Sequence, residues 1–424
     1  MPLTVFSNPT YRYPMKLTIM PPEEMIEANI SLPPSKSIAA RALIMNALTE
    51  GNPPVGNLPS CDDTTALTAA LTQSSGEVNV GLAGTAMRFL TSYYAVTPGS
   101  DVVLDGSDRM RQRPIGALVE ALRSLGADIE YIGTEGYPPL HIRGKRLAGG
   151  SLTVEADISS QFVSSLIMAA PAMEQGLHIT LDGPIVSRPY ISLTLHMMRR
   201  RGIDCYINGD EITVNPDSYV ATETTVEGDW SAASFWYEIA AISAGMITLG
   251  NLEADSAQPD RRAAEIFGML GVDTTTGENG GTELMPSPEL SPRLCIDFSD
   301  TPDLAQPVAV TAAMLGIPFR FTGLETLHHK ECDRVEALIE ELLKTGTVLE
   351  STAPGNLEWD GMRRPIDTLP EFNAHGDHRM AMALAPVSIF IPGITIDGAE
   401  TVAKSYPGFW EDLRAAGFEI TETE

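Results

Sequence analysis

The sequence predicts an α/β protein made of six similar units, and three observations support this fold class. One phrase recurs along the 424 residues: an amphipathic helix that ends in glycine and leads into a short β-prone run. The glycines that end five copies lie 76, 69, 75 and 71 residues apart, at Gly126, Gly202, Gly271, Gly346 and Gly417. A weaker copy ends at Gly76, so that six copies of about 71 residues fill the chain.

The helices of this series end at glycine for a stereochemical reason. Glycine enters the left-handed conformation that closes a helix, which other residues adopt only at a steric cost. One copy alone would mean only that helices and strands alternate, as in any α/β protein. Five nearly equidistant copies favour true repetition, and we expect the units to be grouped three and three into two domains.

Hydrophobic period and capping residues place the helices along the chain. In order, the predicted helices cover residues 37–50, 84–96, 113–126, 159–174, 189–202, 229–244, 260–271, 303–315, 333–345, 377–386 and 407–417. The short β-prone runs between them complete the alternation that an α/β architecture requires.

The composition excludes some classes of binding partner. The chain carries 28 Lys and Arg against 56 Asp and Glu, a formal net charge of −28. This charge argues against nucleic acid or an anionic membrane surface as a partner. With 43% apolar and 20% charged residues, the composition is that of an ordinary globular protein, and its length suits two or three domains.

The cysteines and the chain start bear on location. Cys61, Cys205, Cys295 and Cys332 are far apart and form no C-x-x-C pair, which argues against a zinc site or a disulfide framework. The proline-broken start of the chain, residues 1–18, does not read as a signal peptide. The most apolar stretch carries two prolines and is too short to span a bilayer. We expect a cytoplasmic protein.

Several lysines and arginines lie beside predicted helix starts, and these cations indicate a binding site. At a helix start, free N–H groups and the helix dipole favour an anion. One such site is usually only a solvated cap, but seven in one chain predict a cleft for a small ligand with several negative charges. No GxxxxGK[ST] or GxGxxG motif supports a nucleotide site. The residues at the seven sites are Ser35, Lys36, Ser37 and Arg41; Gly84, Thr85 and Arg88; Arg109, Arg111 and Arg113; Ser159, Ser160 and Gln161; Lys330, Glu331 and Arg334; Asp377, His378 and Arg379; and Lys404.

Two carboxylates accompany these cations, Asp303 and Glu331. A carboxylate beside a phosphate site is costly unless it moves a proton or bonds a substrate hydroxyl. The simpler alternative is that Asp303 caps a helix and Glu331 is a surface residue. The pattern therefore leaves proton chemistry open as a hypothesis.

Ten segments together carry a resemblance. In order they are LPPSKSIAARAL, GLAGTAMRFL, DGSDRMRQRPIGALVEALRSLGADI, SSQFVSSLIMAAP, SRPYISLTL, VEGDWSAASF, DTPDLAQPVAV, HKECDR, GDHRMAMAL and AKSYPGFW. In this order, from about residue 16 to 420, the chain resembles the 5-enolpyruvylshikimate-3-phosphate synthase family of enolpyruvyl transferases. The resemblance implies two similar domains, each of three βαβαββ repeats (an inside-out α/β barrel), with the active site in the interdomain cleft. The domains would be residues 1–34 with 228–424, and residues 35–227.

The resemblance also implies a reaction: transfer of the enolpyruvyl group of phosphoenolpyruvate to the 5-hydroxyl of shikimate 3-phosphate, with release of phosphate and without a metal or organic cofactor. The implied partners are these two small molecules alone, on a monomer. Shikimate 3-phosphate would be held by Lys36, Ser37, Arg41, Ser159, Ser160, Gln161, Ser187, Tyr190, Asp303 and Lys330. Phosphoenolpyruvate would be held by Lys36, Gly84, Arg113, Gln161, Arg334, Arg379 and Lys404.

The implied catalytic residues are Asp303, which handles the hydroxyl proton, Glu331, which handles the proton at C3 of the vinyl group, and Lys36, which assists at the phosphate. Three positions depart from the family pattern. Leu82 stands where Asn is usual, Phe89 where Pro often follows the arginine, and Thr326 where Asn often contacts substrate.

Two alternatives remain. The first is the sister enolpyruvyl transfer to UDP-N-acetylglucosamine, but that family carries a catalytic cysteine in the first half of the chain, and the segment MRQRPIG has none. The second is an anion-binding paralogue without catalysis. The carboxylates Asp303 and Glu331 argue against it, because a binding protein gains nothing from carboxylates beside phosphates.

Overall fold

The computed structural model describes residues 15–51, 54–155, 159–183, 187–277 and 281–423. The segment of residues 1–18, for which we predict no signal peptide, lies mostly outside the described residues. The helices are α1 (Lys36–Ala47), α2 (Asp62–Leu71), α3 (Gly84–Val96), α4 (Gly116–Ser124), α5 (Ser160–Ala169), α6 (Arg188–Arg200), α7 (Trp230–Ser243), α8 (Ala263–Gly268), α9 (Ala305–Leu315), α10 (Arg334–Leu343), α11 (His378–Leu384) and α12 (Phe409–Ala415).

The strands are short, most of them four to six residues. They are β1 (Lys16–Met20), β2 (Glu27–Ser31), β3 (Val55–Gly56), β4 (Ser75–Asn79), β5 (Asp101–Asp105), β6 (Asp128–Tyr131), β7 (Leu140–Arg143), β8 (Gly150–Glu155), β9 (Leu177–Asp182), β10 (Cys205–Asn208), β11 (Glu211–Val214), β12 (Thr224–Thr225), β13 (Met246–Gly250), β14 (Leu270–Thr276), β15 (Thr282–Leu290), β16 (Leu294–Asp297), β17 (Phe319–Thr322), β18 (Leu357–Trp359), β19 (Glu371–Asn373), β20 (Ile394–Asp397) and β21 (Glu419–Thr423).

The sheets repeat one topology, which confirms the repetition predicted from the glycine spacing. In the sheet β4-β5-β7-β6, the first pair is parallel and the other two pairs are antiparallel. The sheets β8-β9-β11-β10, β2-β13-β15-β14 and β19-β20-β1-β21 have the same pattern. The sheet β16-β17-β18 repeats its first three positions. A helix crosses over between the two parallel strands, as parallel pairing requires.

The sixth unit is reduced. It consists of α1, α2 and the two-residue parallel pair of β3 and β12. The structure confirms the eleven predicted helices within a few residues. The sequence analysis does not predict α2 as a helix; it includes this segment only as the weaker copy of the repeat that ends at Gly76. Its sequence, DDTTALTAAL, has few large apolar residues, so its periodic signal is faint. All six series glycines have positive φ, between 80° and 97°.

Two separate apolar cores support the proposed domain division. One core is built from residues 17–32 and 230–420, and the other from residues 38–226. The chain crosses between them twice, near residues 33–36 and 226–230. The division at these crossings remains a prediction that the two cores favour.

The two crossings pair with each other. The Ser35 N–H donates to the Glu227 carbonyl oxygen (2.7 Å), and the Asp229 N–H donates to the Pro33 carbonyl oxygen (2.9 Å). Asp229 also accepts a hydrogen bond from the Lys36 N–H (3.0 Å). The N-termini of α1 and α7 therefore start side by side.

The side chain of Gln258 forms hydrogen bonds with both crossings. Its buried amide nitrogen donates to the Gly228 carbonyl (2.7 Å) and to a Glu227 carboxylate oxygen (2.9 Å). Its oxygen accepts hydrogen bonds from the Ser35 hydroxyl (2.7 Å) and the Trp230 N–H (3.2 Å). One side chain thus satisfies polar groups of both crossings, as a buried amide must.

In the part of the chain that the structure describes, no helix combines the length and apolar content needed to cross a bilayer.

The series glycines generate a stability prediction. Gly126 has φ +96° and open space around it, whereas Gly268 lies in α8 with equally open space and no positive φ. We expect Gly126→Ala to lower the free energy of unfolding by about 1–2 kcal/mol. Gly268→Ala should leave it unchanged or raise it by up to about 1 kcal/mol, the helix preference of alanine. Urea unfolding would measure both; equal effects would contradict the left-handed cap.

Candidate active site

A cavity of about 390 Å³ lies between the two halves of the molecule and is lined by residues of both. Fifteen of the sixteen residues proposed for the site line it: Lys36, Ser37, Arg41, Gly84, Arg113, Ser159, Ser160, Gln161, Ser187, Tyr190, Asp303, Lys330, Glu331, Arg334 and Arg379. The sixteenth, Lys404, lies just behind, ion-paired with Glu331. Segments up to 368 residues apart in sequence thus meet at one place.

Helix N-termini surround the cavity, as the sequence predicts. The first residues of α1, α3, α5, α10 and α11 are among the residues that line it. Ser159 caps α5 by accepting a hydrogen bond from the Gln161 N–H (3.4 Å). Asp333 and Asp377 cap α10 and α11 in the same way. The N-cap residues of α1 and α3 form no side-chain capping hydrogen bond. The N–H groups that remain without a cap and the positive ends of the helix dipoles favour an anion in the cavity.

Asp303 is held by three cations. Arg334 Nη1 donates to its Oδ1 (2.9 Å), and Arg379 Nη2 donates to its Oδ2 (2.9 Å). Lys330 Nζ lies 3.8 Å from Oδ1. Burial alone would raise the pKa of Asp303, but Arg379, Lys330 and Arg334 outweigh it and hold that pKa well below its usual range. Asp303 is therefore an ionised hydrogen-bond acceptor at neutral pH.

Glu331 is also held as an anion. Arg334 Nη2 donates to its Oε2 (3.0 Å), and Lys404 pairs with its Oε1. Burial would raise the pKa of Glu331, but Lys404, Arg334 and Arg113 together keep it well below the ordinary value. Neither carboxylate is the surface residue or simple cap of the alternative interpretation.

Arg334 links these carboxylates to a third one. Its Nε donates to Asp377 Oδ2 (2.7 Å), and Asp377 Oδ1 accepts from the Arg379 N–H (2.9 Å). Asp377 is fully buried, and Arg334 is 2% exposed. Sequence reasoning noted Asp377 at a helix start but did not assign it to the site; the signal available was its place directly before a predicted helix.

Lys36 has a carboxylate partner that the sequence analysis missed. Its Nζ lies 3.1 Å from Asp63 Oδ2, at the start of α2. Burial would lower the pKa of Lys36, but Asp63 and Glu331 raise it above the usual value. Lys36 is therefore a fixed positive charge. Asp63 was missed because α2 itself was missed.

Arg41 lies in a wall of the cavity. Its Nε donates to Thr194 Oγ1 (2.7 Å) and its Nη1 to the Ser37 carbonyl (2.9 Å). The guanidinium carbon lies 5.5 Å from the ring centre of Phe89 and 5.9 Å from that of Tyr190. Phe89, one of the departures from the family pattern, thus supplies an aromatic face to a buried cation.

Gly84 leaves room for Arg113. A Cβ at position 84 would lie 2.5 Å from Arg113 Nη1, so any larger residue would displace the guanidinium. The other two departures lie nearby. Leu82 is exposed and its carbonyl accepts from Lys404 Nζ (3.1 Å), whereas Thr326 lines the cavity. Neither offers the amide side chain usual at these positions in the family.

Tyr190 spans the two halves. Its hydroxyl donates to Asp260 Oδ1 (3.1 Å). Burial and the nearby Asp303 raise the pKa of Asp260 to about 6. Ser187, in the left-handed conformation (φ 55°), joins the halves through its N–H to the Ser299 carbonyl (2.8 Å).

The donors in the cavity suit a ligand with several anionic groups. Arginine forks and lysine charges bind carboxylate and phosphate, and two ionised carboxylates stand among them. Among the described residues, one group of three side chains has metal-ligating geometry: Glu340, Glu341 and His375. None of the three lines the cavity, and Glu341 already accepts from Lys344 (2.7 Å).

Comparisons with known proteins agree with this geometry. Residues 21–79 and 70–413 match the family model described as EPSP synthase (3-phosphoshikimate 1-carboxyvinyltransferase). A 3-phosphoshikimate 1-carboxyvinyltransferase of Bacteroides fragilis is 49% identical over 397 residues, 93% of this chain and 96% of that protein. One of Methanospirillum hungatei is 36% identical over 417 residues, 91% of this chain and 94% of that protein. A solved EPSP synthase of Acinetobacter baumannii superposes with a TM-score of 0.77 at 24% identity, covering 96% of this chain and 100% of that one, which shows the shared fold.

The carboxylates generate a pH prediction. A carboxyl group with a folded-state pKa below its unfolded value (about 4) gives stability that is present above that value and lost in acid. We therefore expect the free energy of unfolding to fall as pH drops below about 5, and to fall less steeply in Asp303→Asn. Urea titrations between pH 3 and 7 would test this, with Asp300→Asn, at an exposed aspartate, as control. Equal slopes in Asp303→Asn and wild type would contradict the ion pairs.

Proposed function

The chain belongs to the EPSP synthase family, and we propose that its cleft transfers the enolpyruvyl group of phosphoenolpyruvate to the 5-hydroxyl of shikimate 3-phosphate and releases phosphate. One observation carries the proposal: two ionised carboxylates, Asp303 and Glu331, stand among converging arginines and lysines in one interdomain cavity. The acceptor UDP-N-acetylglucosamine is not favoured by this family membership, and a non-catalytic binding protein would not need the carboxylates.

The substrates divide the cavity between them. We propose that shikimate 3-phosphate lies against the half that contributes Ser159, Ser160, Gln161 and Tyr190, with its hydroxyl directed at Asp303. Phosphoenolpyruvate would lie between Arg113 on one half and the cations of the other. The cations of that second half are Arg334, Arg379 and Lys404, and Lys36 stands beside the first crossing.

Asp303 suits the role of hydroxyl acceptor. Its ionised form, held by Arg379, Lys330 and Arg334, can accept a hydrogen bond from the 5-hydroxyl. It can take the proton as the oxygen attacks C2 of the vinyl group once the anionic groups of the substrates compete for the same cations and raise its pKa. Lys330 and Arg379 then stabilise the charges that build up around the new bond. The product of this step is a tetrahedral ketal phosphate.

Glu331 suits the proton transfer at C3. That carbon gains a proton as the ketal forms and loses one when phosphate leaves, so one group that first donates and then accepts serves both steps. Without substrate, Lys404, Arg334 and Arg113 hold the pKa of Glu331 low. Phosphoenolpyruvate brings its own anionic groups to the same cations, which weakens their hold on Glu331 and raises its pKa. Substrate binding thus prepares Glu331 to carry the proton.

Lys36 suits the leaving phosphate. Its pKa is held above the usual value by Asp63 and Glu331 despite burial, so it remains a positive charge throughout. A fixed cation beside the bridging oxygen stabilises the phosphate as the C–O bond breaks.

The cellular compartment, the oligomeric state and the domain division are also part of the proposal. The four cysteines are free thiols in the structure, as a reducing compartment such as the cytoplasm would favour. We propose that the protein acts there as a monomer on two small molecules. We also propose the two-domain division at residues 34/35 and 227/228, which the two apolar cores support; the cavity, lined by residues of both parts, would then lie between the domains.

A coupled phosphate assay tests the reaction. We expect phosphate release only when shikimate 3-phosphate and phosphoenolpyruvate are both present, because the acceptor must attack before phosphate can leave. Omission of either substrate is the control. Turnover with UDP-N-acetylglucosamine in place of shikimate 3-phosphate, or none with either acceptor, would overturn the proposal.

The carboxylates have a test of their own. We expect Asp303→Asn and Glu331→Gln each to lower kcat by at least ~10²-fold, the scale of general acid–base catalysis. Shikimate 3-phosphate binding, followed by calorimetry, should remain. Asp300→Asn and Glu336→Gln, at exposed carboxylates of the neighbouring segments, are the matched controls. Near-normal kcat in either site variant would remove that residue from its role.

A further inference from the structure

Glu331 is attached to the opposite half of the molecule through its main chain. Arg109, from the half with residues 35–227, contacts the segment of the other half that carries Glu331. Its Nε donates to the Glu331 carbonyl oxygen (3.1 Å), and its Nη2 donates to the Lys330 carbonyl oxygen (3.1 Å). The planar fork of one guanidinium thus binds two successive carbonyls.

The side chain of Glu331 is attached to the same half. Lys404, its ion-pair partner, also donates to the Leu82 carbonyl (3.1 Å). The loops that carry Arg109 and Leu82 are themselves joined, since the Ser107 N–H donates to the Gly81 carbonyl (3.0 Å). Glu331 is therefore fixed by main chain and side chain to one unit of the opposite half.

Arg109 makes no contact with a carboxylate in the described part of the chain, and it does not line the cavity. Within the described residues, its side-chain hydrogen bonds go to these two carbonyl oxygens. Arg111, two residues on, has the opposite arrangement. It is 47% exposed and pairs with Asp105 (2.6 Å) within its own half. The side chain of Arg109 therefore forms hydrogen bonds across the cleft, whereas the ion pair of Arg111 with Asp105 lies within one half.

We propose that Arg109 is a positioning residue: by gripping the main chain at Lys330 and Glu331 across the cleft, it sets the Glu331 carboxylate for proton transfer at C3 when the two halves are closed. This rests on the proposed function of Glu331. Both carbonyl contacts cross between the halves, so they hold the main chain of Lys330 and Glu331 only while the halves are in contact. The position of Glu331 thereby depends on that contact.

The test compares Arg109→Ala, Arg109→Lys and the matched control Arg111→Ala. We expect Arg109→Ala to lower kcat by ~10- to 100-fold, the effect of misplacing a reacting group by about 1 Å. Binding of shikimate 3-phosphate and the melting temperature should stay as in wild type. Arg109→Lys, which keeps one donor, should lie between, and Arg111→Ala should match wild type.

Two further readouts separate positioning from a general structural role. Amide exchange at residues 330–332, measured with both substrates present at equilibrium, should be faster in Arg109→Ala and unchanged in Arg111→Ala. In a double-mutant cycle, Arg109→Ala should add little to Glu331→Gln, because residues that act through one another are not additive.

The outcomes are distinct. Wild-type kcat in Arg109→Ala, an equal loss in Arg111→Ala, or fully additive effects with Glu331→Gln would each overturn the positioning role. Near-normal kcat in Glu331→Gln alone would instead overturn the function proposed for Glu331.

Discussion

The buried guanidinium of Arg334 is the interaction on which the site depends. It is 2% exposed and pairs with Asp303, Glu331 and Asp377. A buried charge is tolerable only when partners surround it, and removal of one partner is costly. The three carboxylates lie just before α9, just before α10 and directly before α11. One arginine therefore fixes the starts of three helices against each other, and with them the cations that those starts carry.

The same pairing explains how an acidic chain can bind anions. The net charge of −28 is a sum over the whole chain, while five cations at the cavity are paired with Asp63, Asp303 and Glu331: Lys36, Lys330, Arg334, Arg379 and Lys404. These carboxylates prevent the cations from repelling each other before substrate arrives. In the proposed function, an anionic substrate competes for these cations and raises the pKa values of Asp303 and Glu331, so that binding and proton transfer depend on the same charges.

Much of the fold and of the candidate site could be predicted from the sequence, because the sequence signals for them are local. A helix-ending glycine is a stereochemical requirement, so the spacing from Gly126 to Gly417 predicts the repeat, and the structure confirms it in the sheet topology. Motif residues at helix starts likewise converge on one cavity. The partners Asp63, Asp377 and Arg109 were not assigned, because their role is created by contacts between segments distant in sequence. α2 was missed because its few large apolar side chains give a weak periodic signal.

The placement of Glu331 makes the site a property of two halves rather than one. The crossings joined by Gln258 hold the starts of α1 and α7 together, so Lys36 and Asp229 lie at the junction of the two halves. At the far side of the cavity, the contacts of Arg109, Lys404 and Tyr190 exist only while the halves touch. In the proposed mechanism these contacts exclude water as the ketal forms, because the contacts that close the site also hold Glu331, the proposed proton donor.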